Sequence, residues 1–210
     1  MDSLVAEGTI HDWKPFAYDW RHDLSDIVET GVDARDGHHD LVAELETLAA
    51  GSATGKVVIV GHSNGGLLGK ILIDKLVALG KNDLVEQFIM VATPQLGTPK
   101  AATVLLHGED PGWTKWLFFN REVTRTLGEN TASAYNLLPS DEYFNRVADP
   151  VIEFDPSIGS IVNWRSVYGN EINDRFTLTR FLLGSDGRTE PTDSNTMAAN
   201  VLNDQQMSQS

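Results

Sequence analysis

Apolar residues along this chain recur at two spacings, and the two spacings predict alternating strands and helices. Lys56-Val57-Val58-Ile59-Val60 is a β-branched run that reads as a buried strand. Phe88 to Ala92 reads as another, ended by Thr93-Pro94. Phe16 to Arg21 and Ile161 to Tyr168 complete the predicted strands. Between them the period lengthens. Leu41, Val42, Leu45, Leu48 and Ala49 fall on one face of a 3.6-residue repeat, predicting a helix from Asp33 to Ala50 closed by Gly51. Leu67, Leu68, Ile71, Leu72, Leu76 and Val77 do the same for a helix that stops at Gly80. Strands alternating with helices of this length imply an α/β chain, with a mainly parallel sheet flanked by helices on both faces.

One stretch breaks that rhythm. Residues 100–158 are too long for a plain connection. They read as an inserted, largely helical cap, with residues 1–99 and 159–194 forming the core and 195–210 a polar, frayed tail. Within the cap, Trp113, Trp116, Leu117, Phe118 and Phe119 follow in quick succession. They either line an acyl-chain pocket, face a lipid surface, or pack the cap onto the body.

The candidate chemistry lies between the second strand and its helix, at Gly61-His62-Ser63-Asn64-Gly65. A serine framed by glycines at a strand-to-helix turn resembles the nucleophile elbow of the α/β-hydrolases. Such a turn needs backbone conformations and close approaches that glycine tolerates best, hence Gly61 and Gly65. It holds a hydroxyl clear of the sheet at the positive end of a helix.

Composition narrows the surroundings. Net charge is −14, which argues against nucleic-acid binding, where a basic face is expected. There is no cysteine, so neither a disulfide nor a thiolate metal site exists. No cofactor or metal is expected. No apolar run approaches the ~20 residues of a spanning helix, and the first residues lack a signal-peptide pattern. Transient contact with a lipid surface stays open, and the compartment is undetermined.

Four segments in order carry a wider likeness: Tyr18-Asp19-Trp20-Arg21, the elbow, Thr93-Pro94-Gln95-Leu96-Gly97-Thr98-Pro99, and Ala134-Tyr135-Asn136-Leu137-Leu138-Pro139-Ser140. Over about residues 14–194 the chain resembles the lecithin–cholesterol acyltransferase-like group of α/β-hydrolases, which includes related lipases. The resemblance implies a serine esterase or acyltransferase acting on small-molecule or lipid esters. Ser63 then matches the nucleophile, and the Asn64 backbone N–H one oxyanion donor. Ser185-Asp186-Gly187 resembles the acid loop, making Asp186 the triad acid and Asp193 the reserve. Asp-Gly is also a common turn pair, and that reading stands beside it.

Two parts of the pattern are missing. The triad order in this fold is Ser, then acid, then His, yet His11, His22, His38, His39, His62 and His107 all precede Asp186. His62 adjoins Ser63 with its side chain directed apart. His22 sits about 10 Å away, one intervening strand being assumed. His38 and His39 open a helix, and His107 sits in the cap. A His-Gly oxyanion loop before Phe16 is absent as well, along with a strand between Phe16 and Lys56. These gaps lead us to expect an internal piece of a longer protein or a decayed copy, in which Met1 need not be the start. A catalytically inactive relative that binds lipid or protein is the alternative.

Overall fold

The computed structural model describes residues 1–108 and 121–183. The chain divides into two compact units, Met1–Gln95 and Leu96–Ser210.

The first unit begins with a short helix, α1 (Asp2–Ala6), followed by irregular chain to α2 (Leu24–Thr30). Asp23 caps α2 by accepting a hydrogen bond from the Ser25 N–H at 2.8 Å. The strand expected at Phe16–Arg21 does not form. Pro15 cannot donate to a ladder there. Asp19 spends its carboxylate locally, accepting from the Arg21 N–H at 3.0 Å and from the Arg21 Nε at 2.8 Å. Those bonds curl the segment into a turn, and they hold the Asp19 carboxyl far below the usual range.

The helix expected from Asp33 splits in two. Its first part is an antiparallel hairpin, β1 (Val32–Ala34) and β2 (Gly37–His39), and only Leu41–Gly51 is helical, as α3. Asp40 sets the boundary by accepting from the Ala43 N–H at 2.8 Å. Every apolar residue of the 3.6-residue repeat lies after that cap. The imidazole of His39 joins hairpin to helix, with Nδ1 2.9 Å from Glu44 Oε1 and Nε2 3.0 Å from Asp36 Oδ1.

Strand β3 (Val57–His62) pairs in parallel with β4 (Val85–Val91), and α4 (Asn64–Ala78) crosses between them. Leu67, Leu68, Leu72 and Leu76 of α4 are buried with Leu24 and Val28 of α2 and Val42 of α3. Val77, expected on the inner face, is exposed. Lys75 reaches the carboxyl end of α2, donating to the Val28 carbonyl at 2.6 Å, where a cation complements the helix dipole. Val57 and Gly61 are buried, whereas Val58 is 50% and Val60 60% exposed. With Ile89, Met90 and Val91 they leave sheet surface uncovered. The architecture is α/β, but the expected mainly parallel sheet with two covered faces reduces to one parallel pair among the described residues. The other two sheets are antiparallel pairs.

The second unit packs helices around its own core. Among the described residues its helices are α5 (Pro99–His107), α6 (Arg121–Glu129), α7 (Ala132–Asn136), α8 (Asp141–Arg146), α9 (Val162–Tyr168) and α10 (Arg175–Leu182). A small antiparallel pair, β5 (Ile152–Glu153) and β6 (Glu171–Ile172), joins them. The stretch expected as a strand at Ile161–Tyr168 is a 3-10 turn running into α9. Ile161, Trp164 and Tyr168 pack into the core from it, a spacing of three and four that only a helix puts on one side. Phe181 centres an edge-to-face aromatic group, with ring centroids 5.4 Å from Phe154, 5.8 Å from Trp164 and 5.1 Å from Tyr168.

Two of the four segments singled out in the sequence meet in this unit. The Thr98 N–H donates to the Leu137 carbonyl at 2.8 Å, and the Ser140 N–H to the Leu96 carbonyl at 3.0 Å. Gly97 lies between these bonds with φ +83°. A Cβ there would overlap the Leu138 carbonyl and stand 2.8 Å from the Pro139 Cα. Trp113, Trp116, Leu117, Phe118 and Phe119 lie outside the described residues, as does the tail 195–210.

Candidate active site

Strand β3 carries the chain to Ser63, where the backbone turns at φ +52°, ψ −124° before α4 begins. Only one other described non-glycine residue, Ala92, has a positive φ. For an L-residue this conformation costs about 1–3 kcal/mol and persists only where its surroundings hold it. The surroundings are visible. The Ser63 N–H donates to the Val91 carbonyl at 2.9 Å, adding one bond to the β3–β4 ladder. The Gly66 N–H donates back to the Ser63 carbonyl at 3.0 Å. The bend is therefore bonded on both sides, and Ser63 itself is exposed.

Close packing completes the turn. A Cβ on Gly61 would stand 2.7 Å from the Gly65 carbonyl oxygen and 2.8 Å from both the Cα and N of Gly66. A Cβ on Gly66 would overlap the Thr93 side chain, and one on Gly69 would overlap the Phe88 ring. So α4 approaches β4 through Gly66 and Gly69. Gly65 differs: nothing lies within 4 Å of where its Cβ would be. Of the two glycines that frame Ser63 in the sequence, only Gly61 is sterically required. The second required glycine is Gly66, which the sequence reading passed over. The doubled glycine after Asn64 was its only signal. Thr93 fills the space beside Gly66; in the sequence it reads as the end of a strand and the start of a family-like segment, and neither points to this packing.

Ser63 sits as N-cap of a fifteen-residue helix. The first N–H groups of such a helix have no intrahelical acceptor and carry its positive dipole end. The Asn64 N–H is among them. An exposed serine on a sharp bend, with the Asn64 N–H beside it at the start of the helix, is suited to attack a carbonyl and hold the resulting oxyanion.

The described histidines do not complete a charge relay; the side chain of His107 lies outside what is described. Among the described residues no hydrogen bond joins the Ser63 hydroxyl to a base. His22 Nε2 stands 3.7 Å from Asp19 Oδ2. His38 Nδ1 is 2.8 Å from Asp33 Oδ1, and His39 is taken up by Asp36 and Glu44. Hydrogen bonds to those two carboxylates raise the His39 pKa above its ordinary value, Glu44 contributing most. His38 and His39 belong to the β2 strand, not to the start of a helix. His62 is exposed on β3. Asp186 and Asp193 lie outside the described residues. No group of three or more His, Cys, Asp or Glu side chains among the described residues could hold a metal ion.

A family model described as lecithin:cholesterol acyltransferase matches residues 1–190. The chain belongs to that family. The lecithin:cholesterol acyltransferase family lies within the lipase-like α/β-hydrolases and acts on lipid substrates, with acyltransferase or esterase-like activity at the level of the family. No curated protein and no solved structure matches the chain. Among the described residues no helix is long and apolar enough to cross a membrane.

Proposed function

We propose that this chain carries the nucleophile of a serine acyl-transfer reaction on a lipid ester. The backbone of Ser63 is the observation that supports this best: a non-glycine residue at φ +52° between a strand and a helix, bonded on both sides. Ser63 Oγ attacks the ester carbonyl and the alcohol departs, leaving the acyl group on the serine. Water or a lipid alcohol then takes that group. The Asn64 N–H donates to the oxyanion, and loss of one such donor typically costs about 3 kcal/mol of transition-state stabilisation. Asp186 orients and stabilises the imidazole base of the triad.

That base is the open element. No histidine follows Asp186 in the sequence, and the described histidines are exposed or engaged with carboxylates. A serine hydroxyl without a base is a poor nucleophile. These 210 residues by themselves therefore hydrolyse a short p-nitrophenyl ester negligibly. Added imidazole restores a fraction of hydrolysis that Ser63→Ala abolishes, and a fluorophosphonate probe supplied with imidazole modifies Ser63, read by peptide mass spectrometry. Rapid hydrolysis without imidazole, lost in Ser63→Ala, would remove the missing-base part of the reading. No Ser63-dependent increment and no modification would remove the nucleophile itself. In that case the second reading takes over, a relative that keeps the elbow but binds lipid or protein without turnover. The described histidines, exposed or engaged with carboxylates rather than bonded to Ser63, are what favours it.

A further inference from the structure

The ring of His39 engages a carboxylate at each of its nitrogens. Nδ1 stands 2.9 Å from Glu44 Oε1, and Nε2 stands 3.0 Å from Asp36 Oδ1. A carboxylate only accepts, and a neutral imidazole has one N–H to give. Both contacts at once therefore require the imidazolium. Together they join the hairpin turn at Asp36, the second strand at His39 and the first turn of α3 at Glu44. The two carboxylates are not equivalent. The Glu44 side chain is 20% exposed, and its other oxygen lies 2.5 Å from Lys14 Nζ. The Asp36 side chain is 77% exposed. Lys14 is the chief cause that holds the Glu44 carboxyl below its ordinary range, whereas for Asp36 that cause is His39. Among the other charges on these elements, His38 Nδ1 and Asp33 Oδ1 bond each other at 2.8 Å. Asp40 caps α3, and Arg35 lies in the turn.

We propose that His39 is a proton-operated latch: as an imidazolium it fastens the hairpin turn to α3, and on losing its proton it keeps Glu44 and lets Asp36 go. The order follows from which partner is free to move. A bare ring nitrogen facing a carboxylate is repelled, so one of the two has to leave. Glu44 is pinned by Lys14 and largely shielded from water, whereas Asp36 has solvent to turn into. The Nε2 proton passes to solvent, the neutral ring keeps its N–H on Nδ1, and Asp36 stays a carboxylate. Bonds to Glu44 and Asp36 hold the ring's pKa above 6.5. The latch is thus closed below about pH 6.5 and opens as the pH rises through that raised value. None of this depends on the reading of Ser63.

Nuclear magnetic resonance on the full chain between pH 5.5 and pH 9 tests the order of release. The His39 ring carries two N–H groups at the low end and only the Nδ1–H at the high end. Across the same step, amide protection over residues 32–39, corrected for intrinsic exchange, falls about threefold, the scale of one exposed charged pair. Leu45 and Leu48 in α3 keep theirs. Asp36→Asn removes that fall but leaves the ring titrating, because an amide group can accept from Nε2–H or donate to the bare nitrogen. His38→Gln leaves the fall in place. An Nε2–H tautomer at pH 9 would reverse the order and overturn the proposal. So would hairpin protection that stays flat while the ring titrates, or a fall undiminished in Asp36→Asn. A fall abolished by His38→Gln would assign the response to the His38–Asp33 pair and overturn it as well.

Discussion

Replacing Gly61 by alanine puts the steric account of the elbow to its hardest test. The added Cβ would lie 2.7–2.8 Å from three atoms, each backbone and each in the first turn of α4. An ordinary contact begins near 3.4 Å, so the shortfall is about 0.6 Å on every one. No rotamer change relieves it, because none of the three is a side-chain atom. The end of β3 and the start of α4 must separate. Overpacking of this kind costs typically 1–3 kcal/mol, and with backbone on both sides we expect about 3 kcal/mol. Gly65→Ala is the matched control. Its Cβ meets nothing within 4 Å, its φ is not positive, and it lies in a helix, where alanine is favoured over glycine by up to about 1 kcal/mol. The two alanines, four residues apart, should therefore differ by at least 3 kcal/mol in opposite directions. Urea unfolding with exchange read at β3 and α4 amides suits the comparison, since a chain of two units need not unfold in one step. Stabilities within about 0.5 kcal/mol of each other would show that the turn is not held by the contact described, and the packing account of the elbow would go with it.

Ser63→Gly should raise stability by about 1 kcal/mol, the backbone strain relieved less the entropy glycine adds to the unfolded chain; Ser63→Ala should not, and equal unfolding midpoints for the two would contradict the strain. Gly97→Ala combines a positive φ with a clash against the Leu138 carbonyl, and should lower the stability of the second unit by about 3 kcal/mol in denaturant titrations. His39 is held above its ordinary 6.5 by bonds to Glu44 and Asp36, while Glu44, bonded chiefly to Lys14, and Asp36, bonded to His39, are held below theirs. The imidazolium's contribution is thus complete below about pH 6.5 and is lost as pH rises through the raised value; it is also lost at low pH as the carboxylates protonate. A hairpin whose amide exchange at His38 and His39 is the same at pH 6 and pH 9, or whose pH response survives His39→Gln, would refute it.

Much of the first unit was legible in the sequence where one signal acted alone. The run at Val57–Val60 and the glycines after it located β3 and the bend, because β-branched residues and a φ-tolerant turn have no competing outcome there. The start of α3 was misread because the apolar repeat says where a helix packs and not where it begins. Asp40 decides that by capping, and the residues before it have Gly37 to close a hairpin. At Ile161–Tyr168 two signals conflicted. The β-branched and aromatic content suggested a strand, but burial of Ile161, Trp164 and Tyr168 follows a helical period, and packing overrode propensity. Phe16–Arg21 differs for another reason: Asp19 accepts from the Arg21 N–H and side chain and so closes the end of the segment into a turn. The role of Gly66 and Thr93 could not be read at all, since it depends on how closely a helix and a strand distant in sequence approach.

The bonds of Thr98 to Leu137 and of Leu96 to Ser140 have a consequence for how this chain can change. They stitch shut both ends of the excursion between them, so that excursion begins and finishes at one point. Doubling the length of such a closed loop adds only about 0.6 kcal/mol of entropy. Apart from the interior positions Ala101, Ala102, Leu105, Glu129, Thr131, Ser133, Tyr135 and Asn136, the described part of the segment is free to grow, shrink and drift in composition while the stitches hold. Relatives can then diverge in that region without having to reinvent the unit that anchors it.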